Sequence, residues 1–268
     1  MPPKNKQTQS EDDSEVSSVE VAFVLNDPSS DDNNYHACKV QLSRALQGNK
    51  SLADFLPEMT QEICEQCEVG SFLCVEGEEE WGCHGFISAL SFNSYKQTPW
   101  IKAIVPMLST AVSDKTKLLG LFKNHHVALL LQNRFINIPA FMVPPIYSNL
   151  LEDINWTQSS KEVSNPEAFS FDAFVILATL FDRGDEGDEL DEDGAPIVKK
   201  NLKEDNSPIY LFPEYYIFEE NAELVIDLPF SADNSGVVGR QARGFKAICL
   251  TKSQLEKSVK EIEKEITE

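Results

Sequence analysis

Val127-Ala-Leu-Leu-Leu-Gln-Asn-Arg134-Phe135-Ile136-Asn137-Ile138-Pro139-Ala-Phe-Met-Val143-Pro144-Pro145-Ile146-Tyr147 holds a strand, a turn and the start of a helix in one run. Val127–Leu131 is continuously apolar, the pattern of a strand buried on both faces and therefore central in its sheet. Asn137–Pro139 brings turn chemistry, a short polar side chain followed by a ring that fixes φ. A helix should follow to about Ile154, because Pro144 and Pro145 fall near its first turns, where a missing amide hydrogen costs least.

Toward the N-terminus, Val19, Val21, Phe23 and Leu25 alternate with Glu20, Ala22 and Val24, which predicts a strand stopped by Asn26-Asp27-Pro28. Tyr35–Leu46 and Leu52–Gln66 read as helices, with stripes of Val40, Leu42 and Leu46 and of Leu52, Phe55, Leu56, Met59 and Ile63. Ser71–Val75 and Gly85–Phe92, separated by the acidic turn Glu76–Glu80, read as antiparallel neighbours. Pro99 opens a helical stretch to about Phe122.

Toward the C-terminus, Phe169–Phe181 is another strong strand, and Asp182–Asn206 then interrupts the pattern with acids, glycines and a late group of lysines. So long a structureless insertion is expected to be mobile. Glu214–Ala222 predicts a short helix, and Leu224–Phe230 and Gly244–Leu250 predict strands. In the closing helix, Thr251 with Gln254 fits a capping box, and Leu255, Val259, Ile262 and Ile266 make one apolar stripe. Helices and strands interleave without an internal repeat. The expected class is α/β, a mixed, mainly antiparallel central sheet flanked by helices, with residues 19–268 as one domain and Met1–Ser18 as a disordered acidic tail.

The 44 Asp and Glu against 23 Lys and Arg leave a formal charge of −21 and a pI near 4.5. Such a field repels phosphates, so direct DNA or RNA binding is not expected, whereas encounters with basic proteins are accelerated. The polar start lacks a secretory signal and no apolar run has bilayer length, so the expectation is a chain of the cytosol or nucleus, with no membrane partner and with its six cysteines reduced.

Cys64-Glu-Gln-Cys67 with Cys74 and Cys83 could enclose a tetrahedral zinc ion. The two-residue gap occurs in one pair only, and Cys74 sits inside an apolar strand, so no metal is expected. His36, His84, His125 and His126 have no neighbouring Ser or Cys in a nucleophile context, and no catalytic residue is expected. Gly236-Val-Val-Gly239-Arg240, then Arg243-Gly244, lacks the Lys-Ser/Thr ending of a phosphate loop; with Lys246 its arginines make a basic spot suited to an internal carboxylate or an acidic peptide. The run Asp182, Asp185, Glu186, Asp188, Glu189, Asp191, Glu192 and Asp193 reads as carboxylates able to cover lysines and arginines of a client without fixed geometry.

Arg134-Phe135-Ile136-Asn137-Ile138-Pro139 and the following Val143-Pro144-Pro145-Ile146-Tyr147 resemble the BCCIP family, whose members carry a strand ending in Arg-Phe-Ile-Asn-(Val/Ile/Leu)-Pro and a helix with a Pro-(Leu/Met)-Tyr element. Gly85-Phe86-Ile87-Ser88 after an acidic loop is similar to a second family strand, and the acidic start and late charged insertion agree in order. The resemblance implies a fold like that of GNAT acetyltransferases without that activity or a cofactor. It implies residence in nucleus and cytoplasm and escort of a basic client, the large-subunit ribosomal protein uL fourteen, with ties to nuclear export, ribosome biogenesis and cell-cycle control. Other implied partners are a cell-cycle kinase inhibitor and a recombination mediator. On this reading Asp185, Glu186, Asp188, Glu189, Asp191, Glu192 and Asp193 are the client-binding acids. Arg134, Phe135, Ile136, Asn137, Pro139 and Tyr147 are structural or partner-facing, with Arg134 satisfying carbonyls or a carboxylate and Phe135, Ile136 and Ile138 in the core. The competing classes are an acetyl-CoA-dependent acetyltransferase, against which the nearest pyrophosphate-like turn, Arg240-Gln-Ala-Arg243-Gly244, precedes a strand instead of opening a helix, and a zinc-stabilised module.

Overall fold

The computed structural model describes residues 21–47, 49–78, 81–181, 208–228 and 242–267. The strands are β1 (Phe23–Asn26), β2 (Gly70–Val75), β3 (Gly85–Ser91), β4 (Val127–Arg134), β5 (Ala173–Phe181), β6 (Ile209–Tyr210), β7 (Leu224–Asp227) and β8 (Ala242–Thr251). The helices are α1 (Asp32–Ala45), α2 (Lys50–Ala53), α3 (Leu56–Glu65), α4 (Pro99–Ala111), α5 (Lys115–Asn124), α6 (Val143–Ser159), α7 (Glu214–Asn221) and α8 (Lys252–Thr267). One sheet has the order β1-β2-β3-β4-β5-β8-β7, with β6 added on β5, and all its pairs are antiparallel except β4–β5. The expected mixed, mainly antiparallel sheet between helices is therefore the architecture found.

Every residue of β4 and β5 is buried, as a continuous apolar strand requires when helices cover both faces. Successive side chains alternate: Leu129, Leu131, Val175 and Leu177 join a core with Leu42, Met59, Ile63, Trp100 and Leu118 of α1 to α5, while Ala128, Leu130, Phe174 and Ile176 join one with Tyr147, Leu150, Phe218, Leu255 and Val259 of α6, α7 and α8.

Several expected boundaries move for local reasons. The stretch from Pro99 to Phe122 is two helices, because the Asp114 carboxylate accepts the Thr116 and Lys117 amide hydrogens at 3.0 and 3.1 Å and starts α5 afresh. Leu52–Gln66 divides likewise, with Pro57 in the first turn of α3. α1 begins three residues earlier than expected, capped by Asp31, which accepts from the Asn34 amide at 3.0 Å. Residues 166–169 form a 3-10 turn and the strand starts only at Ala173. Val40 and Ile266, placed in apolar stripes by spacing, are 50% and 38% exposed. The α8 capping box is present: the Thr251 amide donates to Gln254 Oε1 at 2.8 Å and the Gln254 amide to Thr251 Oγ1 at 3.3 Å. No helix among the described residues is long and apolar enough to cross a membrane.

Candidate functional site

β4 and β5 are paired from Val127↔Ala173 to Leu130↔Ile176, and both strands continue past the last pair. The carboxyl ends of parallel strands are where an open α/β sheet offers a ligand crevice. Here that region is filled by the chain itself. Alternation along β4 sends Gln132 and Arg134 toward α7 and Asn133 toward α1: Gln132 Nε2 donates to Tyr215 Oη at 2.5 Å, and Asn133 Nδ2 to Gln41 Oε1 at 2.6 Å. Gln41 Nε2 in turn donates to the His84 carbonyl at 3.3 Å, and the Thr179 hydroxyl lies 3.1 Å from the Ala45 carbonyl and 3.0 Å from that of Gln47.

Arg134 is the centre of this network. Its guanidinium meets the Glu214 carboxylate bidentately, Nη1 to Oε1 and Nη2 to Oε2, the latter at 3.1 Å, with the two side chains only 7% and 2% exposed. Cζ sits 4.1 Å from the Phe212 ring centroid. Burial alone lowers the Arg134 pKa, and the adjacent Glu214 carboxylate outweighs it for a net rise, which keeps the guanidinium charged. The Tyr147 hydroxyl beneath is wholly buried without a hydrogen-bond partner among the described residues, its pKa driven up by that burial, and its ring meets Phe218 edge-on at 5.0 Å.

The motif residues thus divide. Arg134 and Tyr147 are interior, and the carboxylate anticipated for Arg134 is that of Glu214. Phe135 is half-buried, with the Arg44 guanidinium 5.4 Å above its ring and His84 edge-on at 5.7 Å. Ile138 is in the core and Pro139 half-buried, whereas Asn137 is exposed and Ile136, expected inside, is 59% exposed. Ile136 lies two residues past Arg134, the end of β4, where no strand among the described residues pairs with it.

The acids Asp185, Glu186, Asp188, Glu189, Asp191, Glu192 and Asp193 lie outside the described residues, as do Met1–Ser18 and Arg240. Lys246 takes an internal carboxylate, Nζ lying 2.7 Å from Glu219 Oε1. Cys64, Cys74 and Cys83 are buried while Cys67 is exposed, and among the described residues no group of three or more His, Cys, Asp or Glu could hold a metal ion.

One constellation escaped sequence reasoning. His126, just before β4, has Ser91 Oγ 3.0 Å from Nε2 and Ser170 Oγ 3.0 Å from Nδ1, and Ser170 Oγ donates to the Glu167 carbonyl at 2.9 Å. The chain of donors therefore runs from Ser91 through a neutral imidazole to Ser170. Burial lowers the His126 pKa in keeping with that neutral form. Ser91 is itself 2% exposed, and the group ties the end of β3, the start of β4 and the turn before β5. Residues 35 and 44 positions away cannot be matched by local spacing.

Comparison with known proteins agrees with the motif. The chain is 27% identical over 218 residues to Protein bcp1 of Aspergillus oryzae, spanning 79% of this chain and 72% of that one. It is 23% identical over 192 residues to the Protein BCCIP homolog of Arabidopsis thaliana, spanning 68% and 57%. The crystal structure of BCP1 from Saccharomyces cerevisiae superposes with a TM-score of 0.64 at 19% identity, over 97% of this chain and 96% of that one, a likeness of fold. The BCCIP family model matches residues 18–224, a span that includes the Arg134–Tyr147 motif, and the chain belongs to the BCCIP family.

Proposed function

We propose that this protein is a non-enzymatic binding protein that shields basic clients, and that its client is a large-subunit ribosomal protein of the uL fourteen kind, escorted between nucleus and cytoplasm. The observation that carries the reading is the net charge of −21 in a BCCIP-family chain, since a field of that sign favours lysine- and arginine-rich partners. The packing of Gln132, Arg134, Glu214 and Tyr215 into the carboxyl end of the parallel pair supports a binding role over one requiring a cofactor there. The GNAT-like architecture implied by the resemblance is part of this proposal, supported by one parallel pair within an antiparallel sheet.

Surface plasmon resonance with the basic ribosomal protein tests it over a salt series. Screening lengths shrink from about 10 Å at 0.1 M to about 3 Å at 1 M, so the association rate should fall steeply with salt. Neutralising Asp185, Glu186, Asp188, Glu189, Asp191, Glu192 and Asp193 together should reproduce much of that fall. An affinity indifferent to both changes refutes the acidic shield, and saturable micromolar acetyl-CoA binding by calorimetry refutes the non-enzymatic reading.

A further inference from the structure

Between the end of α3, the turn after β3 and the 3-10 turn at residues 166–169 lies a cavity of about 590 Å³. That is within the range of roughly 300–1,000 Å³ typical of ligand pockets. Its charge is of one sign. Glu62, Glu65 and Glu68 line it together with Tyr95 and Phe169, and no Lys, Arg or His does. No Lys or Arg occurs from Ser51 to Tyr95, and Lys96 and Lys161, the nearest in sequence to lining residues, are exposed and outside the lining. Burial first, then Glu62, Glu68 and Glu65, push the Tyr95 hydroxyl up to about 12, with no cation opposing them. Ser91, 2% exposed, also lines the cavity, and its hydrogen-bond partner His126 is kept toward the neutral form by burial.

A second observation points to the kind of group that fits. Gln66 lines the cavity and is only 7% exposed; its Nε2 donates to the Val69 carbonyl at 2.9 Å and the Ala89 carbonyl at 3.1 Å, and lies 3.4 Å from Ser88 Oγ. Two carbonyl partners fix which end of the amide is nitrogen, because an oxygen turned to them would be repelled. Oε1 is left without a hydrogen-bond partner among the described residues, an acceptor for whatever enters. Glu62 adds another. Burial pushes its carboxyl up to about 7, the Trp100 indole opposing and Glu58 and Glu65 adding to the rise, and Oε2 makes no hydrogen bond among the described residues. A carboxylate kept where its charge is disfavoured, beside an unused amide oxygen, marks a site that is completed by donors. A guanidinium carries only donors and no acceptor, pairs with carboxylates through its planar fork and packs on aromatic rings. Tyr95 supplies such a ring, held against Trp100 with the centroids 5.6 Å apart.

We propose that this cavity receives an arginine side chain of a protein partner, its guanidinium bound by Glu62, Glu68 and Gln66 Oε1 and packed against Tyr95. The inference rests on the reading that clients are basic and gives the general attraction one fixed seat. The probes are two fluorescein-labelled peptides of equal length and charge, one repeating Arg-Gly-Ser and the other Lys-Gly-Ser, titrated with the full-length chain at pH 8 and followed by anisotropy. The parent should bind the Arg peptide more tightly. Glu62→Gln/Glu68→Gln should weaken the Arg peptide roughly tenfold and erase the preference, while melting no lower than the parent, because it removes a disfavoured carboxylate. Ala168→Trp, at a lining position, fills the cavity at constant charge and should have the same effect on binding. Glu263→Gln/Glu265→Gln removes the same charge from exposed positions of α8, across the sheet from α3, and should leave both affinities within about twofold. If the two glutamine pairs weaken binding alike and Ala168→Trp changes nothing, the cavity is overturned and the diffuse acidic reading stands. Equal loss of the Arg and Lys peptides in the cavity variants overturns the guanidinium. If the parent binds neither peptide at low salt, the basic-client reading fails and this inference with it.

Discussion

Replacing Glu214 by Gln removes the carboxylate that, among the described residues, pairs with the Arg134 guanidinium, in a place where the two side chains are only 7% and 2% exposed. Removing one partner of a buried pair leaves an uncompensated ion and costs about 3–5 kcal/mol, whereas the same change in an exposed pair costs at most about 1 kcal/mol. The bidentate geometry and the Phe212 ring at 4.1 Å from Cζ hold Arg134 in place, so it cannot swing to solvent to escape the cost. With about 2–4 °C of melting temperature per kcal/mol for a chain of this size, Glu214→Gln should melt roughly 6–20 °C lower. Arg134→Met should lose a similar amount through the stranded carboxylate. The double variant Arg134→Met/Glu214→Leu removes both charges of this pair and should recover to within about 2 kcal/mol of the parent or exceed it. Urea denaturation followed by circular dichroism, arranged as a double-mutant cycle, isolates the coupling. Single variants costing less than about 1 kcal/mol, or a double variant losing the sum of both, would falsify the assignment of Arg134 as an interior ion held by Glu214.

Burial raises Glu62 to about 7 and Asp153 to about 6, each further pushed by neighbouring carboxylates and opposed by a hydrogen bond. The folded state therefore holds extra protons between the ordinary carboxylate range and those values, and both groups cost stability increasingly as pH rises through that window. Glu62→Gln and Asp153→Asn should each melt higher than the parent at pH 8, with the advantage shrinking toward pH 4, as a pH series of thermal scans would show. Gly82→Ala meets both a positive φ and the Asn33 carbonyl oxygen, and should lower stability by more than about 1 kcal/mol in urea, whereas Gly120→Ala, in a helix with open space around it, should be neutral or mildly stabilising. Asp114→Ala removes the α5 cap and should cost about 1 kcal/mol, with Asp114→Asn retaining most of it.

How much of this was legible beforehand depends on the range of the interaction involved. The both-faces burial of β4 and β5 follows from runs such as Val127–Leu131, because covering two sheet faces demands apolar side chains at every position. The Thr251 and Gln254 box, the turn at Asn137–Pro139 and the proline-led start of α6 are also properties of neighbouring residues, so the sequence alone settled them, as it did the charge of the molecule and, through the Arg134–Tyr147 motif, the family. Tertiary structure chose the rest. Glu214 is one of many carboxylates, and it faces Arg134 because α7 packs beneath the end of β4, 80 residues away in sequence. Ser91, His126 and Ser170 meet because β3, β4 and β5 are neighbours in the sheet. Ile136 has the apolar character of a core residue and is exposed because it comes two residues after Arg134, the last paired residue of β4. Hydrophobicity and spacing report what a segment can bury, and only the assembled sheet decides which neighbours are there to bury it.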